Sequence, residues 1–268
     1  MTGPVRVERR GAVIEVTIDR PPANAINPAV GAALHTAFCT LRDDPELRVG
    51  ILTGAGTRMF SAGWDLKEVA EATDAASAND ATMDAPGGYA GFTELWDLHK
   101  PIIAAINGLA VGGGLEMALA CSVIVAADHA WFALPEMQRG FVPDAGAIQR
   151  LPRRVPYNVA MEMMLTGRRM EVAEAVHWGL VHAAVPSAAL MDKAREIAAT
   201  IAEGAPLAVQ ALLEVVPAID RLDERAAFAR TKRGRSGLPA YERMMVSEDF
   251  LEGPRAFAEK RKPVWKGR

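Results

Sequence analysis

The rhythm of apolar and polar positions changes character about halfway along this chain. Val5–Arg10 and Val13–Ile18 are short β-type runs parted by Gly11-Ala12, which predicts an opening hairpin. Pro21-Pro22 stops the second run, and Asn27-Pro28 supplies an N-cap and a first-turn proline for a helix reaching about Arg42. Residues 49–53 then read as a buried strand closed by Gly54-Ala55-Gly56. The same order recurs at 60–66, FSAGWDL, a tight glycine turn after a strand that opens a short helix over about Leu66–Ala70. Residues 71–88, rich in small and polar types with weak periodicity, are expected to form a mobile surface loop or lid. Tyr89 and Phe92 close it, and a short helix over about 91–98 leads to the strand Ile102–Ile106. Further β-type runs fall at 122–126 and Trp131–Ala133, so the first 150 residues read as a repeated supersecondary spiral. Past Gly146 the spacing becomes helical, at 155–165, 171–178, Leu190–Ala202, 206–216 and 248–261. The ending, FAEKRKPVWKGR, reads either as a solvated helix end with a disordered tail or as an anion-binding or subunit-docking tail.

The candidate chemistry centres on residues 106–120, INGLAVGGGLEMALA, where three glycines precede an amphipathic helical run. Without Cβ atoms, Gly112, Gly113 and Gly114 leave their N–H groups uncovered at a positive helix N-terminus, able to receive an oxygen that acquires charge. Glu116 follows Gly113 by about one helical turn and is the only ionisable group in an otherwise apolar segment. A glycine-rich turn followed by a solvated glutamate is the simpler reading of GGG alone.

Composition narrows the classes. With 268 residues, 50% of them hydrophobic, the chain can bury one sizeable core, alone or with a smaller appended part. A formal charge of -3 argues against nucleic acid or an acidic membrane as the main partner. Residues 101–127 lack Lys and Arg, but their glycines, Asn107 and Glu116 suit a buried strand, turn and helix better than a bilayer span. Cys39 and Cys121 form no CxxC, and no signal peptide is evident, so reduced thiols in the cytoplasm are expected. The histidines show no ligand spacing, and no metal is expected.

ANAI at 23–26, FSAGWDL at 60–66, NGLAVGGGLEMALACSVIVAA at 107–127 and LPEMQRGFVPDAG at 134–146 resemble the crotonase superfamily, the enoyl-CoA hydratases and isomerases, in order and spacing. Nearly the whole chain is covered. The Trp of SAGWDLK, the GGYAGFTELW stretch, TGRRM at 166–170 and the ending EGPRAFAEKRKPVWKGR are most similar to the carnitinyl-CoA dehydratase branch. The resemblance implies an α/β fold, a crotonase-like spiral of repeated ββα units over residues 1–195, followed by a C-terminal helical layer over 196–268 that serves trimerisation. It implies a hydratase or dehydratase acting on an acyl-CoA thioester, in a homotrimer or a hexamer built as a dimer of trimers. Coenzyme A belongs to the substrate, and no separate cofactor is implied.

The residue roles that the resemblance implies are as follows. The backbone N–H groups of Trp64 and Gly113 hold the thioester oxygen, and Glu116 and Glu136 act as acid and base. Ala23, Ala25 and Ala62, with Asp65 and Leu66 beside them, border the coenzyme A path, and Lys260 reaches its phosphates from the same or an adjacent subunit. Asp144 stands where hydratases of the family commonly carry glycine. It is either a turn residue in Pro143-Asp144-Ala145-Gly146 or a substrate-orienting or catalytic group, and a double-bond isomerase using Asp144 or Glu136 is the rival activity. Trp64, Tyr89, Phe92 and Trp96, with Asp144, are expected near the acyl end, where a quaternary ammonium would be held. A non-catalytic or RNA-binding homologue is the alternative from another class, opposed by the intact Gly113, Glu116 and Glu136.

Overall fold

The computed structural model describes residues 3–71 and 83–268. Most of the expected loop at 71–88 therefore lies outside the described residues. The larger sheet has the order β1 (Val5–Arg10), β2 (Val13–Ile18), β3 (Val49–Gly54), β5 (Ile102–Ile106), β7 (Val123–Ala127), β10 (Ala183–Val185). Only the β1–β2 hairpin is antiparallel in it. The smaller sheet is ordered β4 (Met59–Ser61), β6 (Leu109–Val111), β8 (Trp131–Ala133), β9 (Met170–Glu171), and its first three strands are parallel.

Alternation along the central strands places the core. Leu52, Ile102, Ala104, Ile106, Ile124 and Ala126 face one apolar cluster, shared with Phe38 and Leu41 of α1 (Pro28–Asp43). Val49, Ile51, Ile103, Ala105, Val125 and Ala127 face a second, closed by Leu190, Ala194 and Ala198. Burial on both faces explains why these strands read as continuous apolar runs. The spiral arises because each of β3, β5 and β7 leads into a short strand of the smaller sheet, so the chain alternates between sheets.

Helix α1 begins where Asn27-Pro28 predicts, with the Asn27 side chain accepting from Val30 N at 3.1 Å. α2 (Leu66–Ala70) is capped by Asp65, and α3 (Gly113–Ala120) follows the glycine triplet. α4 (Ala147–Arg150), α5 (Tyr157–Thr166) and α6 (Val172–His177) wrap the smaller sheet's end of the molecule. α7 (Leu190–Ala202) covers the larger sheet, and the expected division at residue 195 falls inside it. α8 (Pro206–Ile219), α9 (Glu224–Ala229), α10 (Pro239–Met245) and α11 (Glu248–Ala258) complete the helical layer. No single helix among the described residues is long and apolar enough to cross a membrane.

Two expectations are corrected. Residues 91–98 form no α-helix: a 3-10 turn at Tyr89–Gly91 gives way to further turns, because Gly87, Gly88, Ala90 and Gly91 all take positive φ. The ending is not a free tail either. Asp249 accepts from the Lys266 and Gly267 amides at 2.8 Å each, Glu252 pairs with Arg261, and Trp265 Nε1 donates to Glu203 O. The terminal segment thus folds back along α11.

Candidate active site

Three neighbouring strands of the smaller sheet deliver the site. The loop after β4 carries Trp64, the turn after β6 carries Gly113, and the turn after β8 carries Glu136. They line a cavity of about 330 Å³, together with Ala62, Leu66, Glu116, Asp144 and residues from the 83–89 and 139–145 segments.

The first two loops approach so closely that side chains are excluded. A Cβ on Gly63, which sits at φ +82, would lie 2.7 Å from Gly113 N and 2.8 Å from Val111 O. Ala23–Ile26 holds the loop from behind: Ala62 N donates to Ala23 O, Ile26 N to Gly63 O and Asp65 N to Ile26 O. That pattern leaves the Trp64 amide unused. The Gly113 amide, in the first turn of α3, is unused as well, so neither has an acceptor among the described residues. Two uncovered donors facing one cavity, one of them at a helix N-terminus, suit an oxygen that gains negative charge.

Glu116 projects from the first turn of α3 and is 3% exposed. Its Oε1 accepts from Ala147 N at 3.0 Å, which fixes its orientation. Burial chiefly, opposed by that hydrogen bond and reinforced by Glu136 and Asp144, raises its pKa from 4.5 to about 8. Glu136, in the 3-10 turn Glu136–Arg139, is 4% exposed, and burial raises it to about 7 against the pull of its own backbone N–H and Arg139. Its Oε2 has no hydrogen-bond partner among the described residues. Gly112, at φ +55, lies beneath it, and a Cβ there would come within 2.7 Å of Oε1. Two carboxyls that lose their protons near neutrality can serve one as acid and the other as base.

The remaining expected residues separate into groups. Ala62 and Leu66 line the cavity, while Ala23, Ala25 and Asp65 stand one layer behind, with Asp65 paired to Arg20 at 2.6 Å. Asp144 is exposed at the cavity wall. Lys260 is exposed just beyond the C-terminal end of α11 and does not line the cavity. Of the expected aromatics, Trp64 and Tyr89 reach the cavity. Phe92 is buried against Phe38, and Trp96 is 74% exposed beside Arg150. Phe141, which lies within the 134–146 stretch with no role implied there, stands edge-on to Trp64 with ring centroids 6.2 Å apart. The Ala147 amide was also beyond sequence reasoning, since only tertiary contact brings it to Glu116, whereas Arg139 shares the 3-10 turn of Glu136 with no role implied for it.

Comparison with known proteins finds relatives over nearly the whole chain. The enoyl-CoA hydratase/isomerase family pattern matches residues 8–268. A carnitinyl-CoA dehydratase of Proteus mirabilis is 52% identical over 269 residues, and one of Citrobacter koseri 49% identical over 268, each covering all of both chains. A solved enoyl-CoA hydratase from Mycobacterium tuberculosis superposes with a TM-score of 0.88 at 37% identity, again over the full length of both chains.

Proposed function

Since this chain belongs to the enoyl-CoA hydratase/isomerase family and is a CoA-thioester hydratase or dehydratase, we propose that its acyl substrate ends in a quaternary ammonium, as in carnitinyl-CoA and crotonobetainyl-CoA. The observation that carries this reading is the cavity lining. It places the Trp64–Phe141 edge-to-face pair with Glu116, Glu136 and Asp144, against Arg139 as the single basic residue among the described residues of the lining. Such a cation accepts no hydrogen bond and donates none, so aromatic faces and carboxylates are what can hold it. The names of the dehydratase relatives support the same reading.

In this mechanism the Trp64 and Gly113 amides receive the thioester oxygen. Each is worth about 3 kcal/mol once negative charge develops there. In hydration, a water O–H bond breaks as its proton passes to the ionised member of the Glu116–Glu136 pair. Its oxygen bonds to Cβ, and the electron pair of the double bond moves toward the thioester oxygen. The protonated member then delivers its proton to Cα, and dehydration reverses each step. Ala62 and Leu66, with Ala23, Ala25 and Asp65 behind them, shape the path of coenzyme A. Lys260 reaches its phosphates only from an assembled oligomer in this reading, because it stands away from the cavity of its own chain. A trimer or a dimer of trimers fits the exposed Leu212, Val216, Phe228, Phe250 and Phe257 of the helical layer.

The test is kcat/KM for crotonobetainyl-CoA against crotonyl-CoA. The charged thioester should be preferred by about tenfold or more, and Asp144→Asn should reduce that preference. A tenfold preference for crotonyl-CoA would make the protein a general short-chain hydratase. Appearance of a shifted double bond in place of hydration would favour the isomerase reading through Asp144 or Glu136.

A further inference from the structure

Tyr89 is 1% exposed, yet its hydroxyl has no hydrogen-bond partner among the described residues. A buried, unpartnered hydroxyl is costly to keep, so a native site that keeps one has a use for it. The hydroxyl lies in the cavity against Gly113, close enough that any Cβ on that glycine would collide with it. Glu136 Oε1 lies over the adjacent Gly112, and Glu116 rises one helical turn beyond Gly113. Hydroxyl and carboxylates therefore surround one small volume at the N-terminus of α3.

The backbone holds Tyr89 there deliberately. Four residues around it, Gly87, Gly88, Ala90 and Gly91, have positive φ, and Ala90 adopts φ +54 despite its Cβ. His35 Nδ1 contacts Gly91 O at 2.8 Å, Arg150 donates to Thr93 O, and Thr93 Oγ1 donates to Tyr89 O at 2.9 Å. A turn tied from three sides keeps the ring from swinging out of the cavity.

We propose that the Tyr89 hydroxyl is a catalytic hydrogen-bond donor to the β-oxygen, the water that adds to the double bond or the hydroxyl that leaves. A water needs several polar partners to be held in one orientation. Here its oxygen accepts from Tyr89 while its hydrogens face the two carboxylates. As a carboxylate takes one proton, the oxygen gains hydroxide character, and a neutral phenol stabilises it without competing for the proton. Burial, with Glu116 and Glu136 nearby, keeps the phenol protonated, well above its ordinary pKa. This inference rests on the hydration chemistry and is independent of the acyl group.

Tyr89→Phe tests it, since the ring stays and only the oxygen goes. Hydration kcat should fall about ten- to a hundredfold on crotonyl-CoA and crotonobetainyl-CoA alike, with KM within about threefold. Exchange of the Cα hydrogens of butyryl-CoA with deuterium oxide, which involves no β-oxygen, should proceed at the wild-type rate. The melting temperature should hold or rise, because no protein partner is lost. Unchanged hydration kinetics would overturn the proposal. So would exchange that slows in step with hydration, which would move the hydroxyl to the thioester oxygen, or a lower melting temperature with the same loss, which would make it a packing group. A wild-type preference for crotonyl-CoA would remove the cationic substrate and leave this role standing.

Discussion

Replacing Glu116 by Gln should stabilise the protein while disabling it, and the gain should grow with pH. Folded, Glu116 keeps its proton up to about pH 8, whereas its ordinary value is 4.5. At pH values under 4.5 both folded and unfolded chains carry the proton, and burial costs nothing electrostatic. As pH rises from there, the unfolded chain releases it first, and folding loses about 1.4 kcal/mol per pH unit until the folded value is passed. Between pH 5 and pH 7 the wild type thus forfeits roughly 2–3 kcal/mol that Glu116→Gln retains. With an unfolding entropy of about 2.1 cal/mol/K per residue over this chain, that is a widening of about 4 °C in the gap between their melting temperatures. Gln still offers an amide oxygen to Ala147 N, so the α3–α4 contact survives. Calorimetry at pH 5, 6 and 7 and equal protein concentration reads the gap, and hydration turnover should fall by about two to four orders of magnitude. A gap that stays constant or narrows with pH would refute the reasoning, because the buried carboxyl would then carry no ionisation penalty.

Other consequences are open to measurement. The pH profile of kcat/KM should be bell-shaped, with limbs near 7 and 8, since the working form holds one proton on the Glu136–Glu116 pair; Glu136→Gln should erase that shape along with most of the activity. Gly63→Ala should cost about 1–3 kcal/mol of stability through its positive φ. It should also lower kcat about a hundredfold or more by forcing the Trp64 and Gly113 amides apart, without moving the pH limbs; wild-type turnover in that variant would place the oxygen-binding donors elsewhere.

What was legible in the sequence was local. Asn27-Pro28 announced α1 because capping and proline geometry are decided within a few residues, and β3, β5 and β7 were visible as apolar runs because both their faces are buried. β6 was hidden between Gly108 and Gly112, only three residues long, and β10 owes its strand form to pairing with β7 across a distance of some sixty residues. α9 and α10 passed unnoticed for want of a buried stripe: α9 has no buried residue and α10 buries only Ala240. At the site, Gly113, Glu116 and Glu136 stood out as motif positions. The Ala147 amide on Glu116, Phe141 against Trp64 and the orphaned hydroxyl of Tyr89 did not, because each depends on segments far apart in the chain meeting in space.

Trp64, Gly113 and Glu136 come from β4, β6 and β8, which lie side by side in that order. Parallel strands repeat at roughly 4.8 Å, so the sheet acts as a ruler laid along the substrate. In the proposed mechanism the first two divisions clamp the thioester carbonyl, and the third faces the acyl carbons beyond it. On that proposal regiochemistry is set by hydrogen-bonded strand spacing, measured from the carbonyl end. Lengthening or charging the far end of the acyl chain alters how tightly it is held but not which carbon meets the carboxylates, so selection on acyl groups can proceed at Asp144 and the aromatic wall while water continues to add at the same atom.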